Sequence, residues 1–109
     1  MRIADILFKD QPAATLTQHD DGTFTFQYLP SWVYDSRKPR ISLTFPKRTA
    51  PFHSSNLFPF FYSMLPEGSN KQAICKLCRI DKDDYFGLLI TTSGNDTIGA
   101  VTVKRGGVR

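Results

Sequence analysis

The sequence of 109 residues predicts a single α+β domain, an antiparallel sheet of about five strands carrying about three short helices. Three observations predict it. Residues 1–46 alternate apolar and polar side chains with the two-residue period of half-buried strands. Residues 54–93 switch to apolar spacings of three and four, the period of a helix. Residues 97–103 then return to strand character. Strands, helices and a final strand, in a chain of one domain's length with no internal repeat or linker, make an α+β order.

The elements follow in turn. Ile3–Phe8 is a short apolar-rich strand. Lys9-Asp10-Gln11-Pro12 has turn chemistry, and Ala14–Thr17 reads as the return strand. Asp20-Asp21-Gly22 marks the next turn. In Thr23–Tyr28 the side chains of Phe24, Phe26 and Tyr28 point one way, and those of Thr23, Thr25 and Gln27 the other. Pro30 ends that strand. Ile41–Phe45 repeats the alternation until Pro46 stops it. One face of such a sheet is solvated. Leu57, Phe61, Met64 and Leu65 then recur at helical spacing, with Asn56 or a nearby serine as cap and Pro59 in the first turn. Pro66 and Gly68 end this helix. Ser69 and Gln72 stand at capping-box spacing ahead of the stripe Ile74, Leu77 and Cys78. Asp81 is placed to cap a third helix, whose Tyr85, Leu88 and Leu89 share a face. Gly94-Asn95-Asp96 reads as a turn, and Arg105–Arg109 as a frayed end.

Composition excludes several classes. Hydrophobic residues make up 40% and charged residues 22%, a folded balance with nine phenylalanines as its unusual feature. No apolar run approaches the ~20 residues of a transmembrane helix, and the N-terminus lacks a signal-peptide pattern. Two cysteines cannot make a disulfide scaffold, so a reducing cytoplasm is the expected compartment. The excess of 14 basic over 10 acidic residues is mild, and neither a membrane nor direct nucleic-acid binding is expected.

Motifs for catalysis are sparse. Cys75-Lys76-Leu77-Cys78 is a CxxC without the second ligand pair that zinc requires, and it sits late in a helix; its thiols are expected to face the core. His19 and His53 have no nucleophile elbow beside them and read as solvated loop residues. Asp81, Asp83 and Asp84 look like a helix start. No phosphate-cradling loop is present. The sequence therefore yields no catalytic, cofactor-binding or metal-binding residue, and no enzyme activity is expected.

Two stretches carry candidate contacts. Arg37, Lys38, Arg40, Lys47 and Arg48 follow Trp32 and Tyr34 without an intervening acid after residue 36. This segment is either a solvated loop that tunes association or a phosphate-binding surface with rings for stacking. The aromatic helix has more large apolar groups than one face can bury: Phe60 falls opposite the stripe, and Met64 and Leu65 precede the break at Pro66-Glu67-Gly68. Phe60, Met64, Leu65, Pro66 and Glu67 are thus candidate partner contacts, with Arg37, Lys38 and Arg40 as auxiliary ones.

Four blocks now become recognisable: FTFQYLPSW at Phe24–Trp32, ISLTFP at Ile41–Pro46, FFYSMLPEG at Phe60–Gly68 and SGNDTIGAVTV at Ser93–Val103. In this order and spacing they resemble the N-terminal subdomain of the HipA family of serine/threonine-kinase toxins, over nearly the whole chain. Met64 stands where the family often has leucine, and Ser93-Gly94-Asn95 precedes Asp96. A HipA-like toxin continues into a larger kinase body. Read as a complete protein, the chain resembles HipS, the small component of tripartite HipBST systems. The resemblance then implies an antitoxin that binds and inhibits a HipT-like kinase toxin beside a HipB-like DNA-binding protein. The alternatives are an N-terminal fragment of a full-length HipA-like toxin, or a nucleic-acid-binding module using residues 37–48.

Overall fold

The computed structural model describes residues 1–92 and 100–106. In chain order the elements are β1 (Arg2–Phe8), β2 (Gln11–Gln18), β3 (Phe24–Tyr28), α1 (Pro30–Val33), β4 (Phe52–Ser54), α2 (Pro59–Tyr62), α3 (Gly68–Cys78), α4 (Tyr85–Thr92) and β5 (Val101–Arg105). The strands form one antiparallel sheet in the order β4-β3-β2-β1-β5, which is the α+β fold read from the sequence.

The β1–β2 hairpin turns on two residues, with Phe8 opposite Gln11. Lys9 and Asp10 both have positive φ, 49° and 65°, the signature of a primed turn that matches strand twist. β2 therefore starts earlier than Ala14 and contains Pro12. The proline is tolerated because the register shifts beside it and β3 pairs only from Ala14 onward.

One face of the sheet builds the core. Ala4, Ile6, Leu16, Phe24, Phe26, Tyr28, Val101 and Val103 are buried on it, against Phe61 of α2 and Phe86 and Leu89 of α4. The phenylalanine surplus is spent here: Phe26 stacks on Phe45 at 4.1 Å, and Phe45 meets Phe52, Phe58 and Phe60 edge-on.

Several elements differ from expectation. Ile41–Phe45 is a turn, not a strand. The Ser42 hydroxyl contacts the Thr44 hydroxyl and accepts the Thr44 N–H, and Phe45 N–H closes on the Ser42 carbonyl at 3.1 Å. Local hydroxyl bonds have outcompeted a ladder. The buried Tyr28 hydroxyl pins both ends of the turn, donating to the Phe45 carbonyl and accepting the Ile41 N–H. Burial pushes the Tyr28 phenol up. The strand that does flank β3 there is β4, just ahead of the helical region expected from residue 54 and in a stretch not read as a strand.

Helix caps also differ. The N-cap of α2 is Phe58, with no side-chain cap, although Pro59 does occupy the first turn. Glu67, not Ser69, is the N-cap of α3, so the capping box does not form. Asp84, not Asp81, caps α4: its carboxylate accepts the Gly87 N–H at 3.0 Å. Asp81 instead holds the preceding turn through the Asp83 N–H. Asp84 also receives two hydrogen bonds from Arg2, so α4 is fastened to the first residue of β1. A Cβ at Gly87 would lie 2.4 Å from the Asp84 carboxylate, so a side chain there would make that carboxylate shift. A fourth short helix, α1, follows β3. The C-terminal fraying expected from residue 105 does not begin there: Arg105 pairs with Ala4, and Gly106 N–H bonds Ile3 carbonyl at 2.8 Å. The turn at residues 94–96, the stretch 97–99 of the expected last strand, and residues 107–109 lie outside the described residues.

Candidate partner-binding surface

The basic segment is a folded loop that uses most of its own charge. Lys47 Nζ donates to the carbonyls of Asp35 and Lys38, each at 2.7 Å, closing the loop from inside. Arg37 pairs with Asp35 and holds that carboxyl below its ordinary range. Lys38 lies 4.7 Å over the Trp32 ring and donates to Gln11, while Trp32 Nε1–H bonds the Pro39 carbonyl. Arg48 sits 3.6 Å over Phe52 and donates to the carbonyls of Ala50 and Pro51. Arg40 is exposed. Four of the five cations are thus committed to the loop itself.

The second group, after α2, is partly packed. Phe60, Met64 and Leu65 rest half-buried against the core; Pro66 is half-buried and Glu67 exposed. Neither Met64 nor Leu65 stands free as a projecting knob, because the chain coils on past α2 through the Met64→Phe61 and Leu65→Tyr62 backbone bonds. Tyr62, 53% exposed, projects beside them and meets Tyr85 edge-on at 5.5 Å.

The two groups lie at opposite ends of the sheet. Lys38 touches Gln11, where β2 begins, whereas Tyr62 and Tyr85 share a hollow with Gln18, where β2 ends. Leu65, Pro66 and Glu67 line a neighbouring hollow with the same two tyrosines. One compact footprint does not cover both.

The helix expected over Ile74, Leu77 and Cys78 is there, as α3, but the sequence reading missed how exposed it is. Among the described residues this helix is the longest, and none of its residues is fully buried; Lys71, Ile74 and Cys75 are half-buried. Leu77, expected in its core-facing stripe, is 82% exposed. Cys78 is exposed and Cys75 half-buried, so the thiols do not line the core as expected. The helix ends in a Schellman-type cap: Ile80 N–H reaches the Cys75 carbonyl while Arg79 takes the left-handed conformation at φ 55°. Its first turn is tethered by Lys71, whose Nζ lies 5.5 Å over Tyr85. Lys71, Lys76 and Lys82 border one hollow beside Cys75, and no acid occurs from Gly68 to Ile80. The surface offered is cationic with an apolar tip, suited to an acidic partner with an apolar recess.

The histidines are not isolated. His19 Nε2 lies 2.7 Å and His53 Nδ1 3.0 Å from the Thr25 hydroxyl, so strand pairing joins two residues read as separate loop positions. Among the described residues no three of His, Cys, Asp and Glu gather as a metal-ligand set. No described helix is long and apolar enough to cross a membrane.

Comparison with known proteins decides the family. Residues 4–104 match the family model for the HipA N-terminal domain. The chain belongs to that family. It superposes on the solved N-terminal domain of HipA toxin with a TM-score of 0.73 and 30% identity, covering 100% of this chain and 96% of that one. An uncharacterized protein of Haemophilus influenzae is 38% identical over 89 residues, 82% of this chain and 79% of its own length. Two proteins of Sinorhizobium fredii, named "Putative kinase Y4dM" and "Putative kinase Y4mE", are 30% and 28% identical over 93% of this chain. The chain spans only 26% and 24% of those two proteins. The HipA N-terminal domain thus occurs both as a small part of much longer chains and as most of a short one.

Proposed function

We propose that this HipA N-terminal domain is a non-catalytic antitoxin that binds and restrains a HipT-like serine/threonine kinase, in a complex that also holds a HipB-like DNA-binding protein. The observation that carries the reading is α3, a helix of 11 residues with none of them buried. A helix of that length is marginal in water by itself and gains its stability from packing, so one with only a half-buried inner face in a family tied to kinases wants a partner surface. The short Haemophilus relative supports action as a separate subunit. Candidate contacts are Tyr62, Leu65, Pro66 and Glu67, which line hollows at the Gln18 end of the sheet, and Leu77 on α3, with Phe60 and Met64 half-buried on the same coil. Arg37, Lys38 and Arg40 would act through long-range attraction alone.

The two longer relatives support a second arrangement, in which the same domain restrains a kinase body within one chain. Both arrangements set this domain against a kinase. The test is co-expression with the kinase encoded beside it: tagged chain should carry the kinase through purification and restore growth. Recovery of the chain alone, with no rescue, would exclude the antitoxin role.

A further inference from the structure

A groove of about 550 Å³ opens between the start of β1, the loop after α3 and helix α4. Ile3, Ile80, Phe86 and Ile90 form its apolar part, beside Asp84 and Thr91. Arg105 and Gly106, where β5 ends, stand at its edge. Arg2 also borders it, but its guanidinium is committed to Asp84 and Gln18. Arg105 is exposed, and among the described residues no carboxylate pairs with it. Among the described residues β5 is an edge strand with β1 as its neighbour, and an edge strand can accept an added extended segment.

The position of this groove indicates its occupant. The family match runs to residue 104, one residue short of the groove's edge. The matching domain is by name N-terminal in HipA, so the rest of a HipA chain departs from the end of the strand equivalent to β5. A segment continuing from that point starts at the groove's edge, because Arg105 and Gly106 line it.

We propose that the groove seats the opening segment of the kinase body, an extended stretch with apolar side chains and one carboxylate that meets Arg105. In a longer HipA-like chain that stretch follows β5 directly; in the two-chain arrangement it is the N-terminus of the separate kinase. The inference rests on the kinase partnership proposed above. It adds a second attachment, on the β5 side of α4, to the one expected at α3.

The test uses two variants at exposed positions of the groove. Arg105→Glu reverses the charge, and Thr91→Trp fills the space. Binding of each to the kinase is measured by calorimetry, with a synthetic peptide of the kinase's opening segment titrated into the wild-type chain in parallel. Each variant should weaken the kinase complex about tenfold or more while melting like the wild type. The peptide should bind and shift the amide signals of Ile80, Ile90 and Arg105. If the wild-type chain binds the kinase and both variants bind it equally well, the groove assignment is wrong and the partnership stands. If the wild-type chain binds no kinase, both fall.

Discussion

The Tyr28 hydroxyl ties both ends of the turn at Ile41–Phe45 to the core. It spans the Ile41 N–H and the Phe45 carbonyl inside the core, where water cannot replace it. Tyr28→Phe leaves both backbone groups unpaired and should cost about 1–3 kcal/mol, read as a fall in the thermal midpoint. An unchanged midpoint would show that the turn is held by its own hydroxyl bonds. The same residue sets an alkaline limit. Its folded pKa lies above its unfolded value, so its contribution is fully present below about pH 10 and is lost as the pH rises further. The sequence made half of this visible. The alternation of Phe24, Phe26 and Tyr28 placed the tyrosine inward, and all three are buried. It could not show that Ser42 and Thr44 would bond locally, because apolar-polar alternation reads the same in a strand and in a turn whose Ile41 and Phe45 both point inward.

Among the elements, α3 and α4 are opposites. α4 is buried along Phe86 to Leu89 and is riveted to β1 through Arg2 and Asp84. The Arg2 hydrogen bonds, with the Gly87 N–H, hold the Asp84 carboxyl below its ordinary range. A depressed folded pKa gives stability that is present above about pH 4 and lost as the pH falls through the folded value. Asp84→Asn should therefore flatten the acid limb of the stability profile, with a small loss at neutral pH because the pair is partly exposed. An acid limb identical to wild type would assign that dependence to other carboxylates. α3 has no such attachment beyond its first turn. Leu77→Asp should leave the midpoint of the free chain within a few degrees, since the side chain is already 82% exposed, yet weaken kinase binding about tenfold or more. A large loss of stability would show instead that Leu77 packs within the domain. The stripe Ile74, Leu77 and Cys78 was legible as a helix face, and the helix is there. What it faces was not legible, because the surface that would cover it is not in this chain's core.

At the scale of the molecule, the sheet has two ends and α3 stands apart from the core. The four sequence blocks located the family because they record the core and its turns: Phe24–Trp32 carries β3 and α1, and Phe60–Gly68 carries the coil from α2 into α3. The candidate contacts were less legible. Arg37 and Lys38 looked like a free basic patch, but charge runs in sequence do not reveal Asp35, Trp32 and Gln11 waiting to receive them. The central claim is that this domain acts by covering a kinase. The most direct measurement titrates the purified chain into a HipT-like kinase that lacks this domain and follows phosphoryl transfer from ATP. The account predicts that activity falls to a low plateau at one equivalent of chain and that Leu77→Asp shifts the curve to higher concentration. Undiminished kinase activity at saturating chain would contradict it.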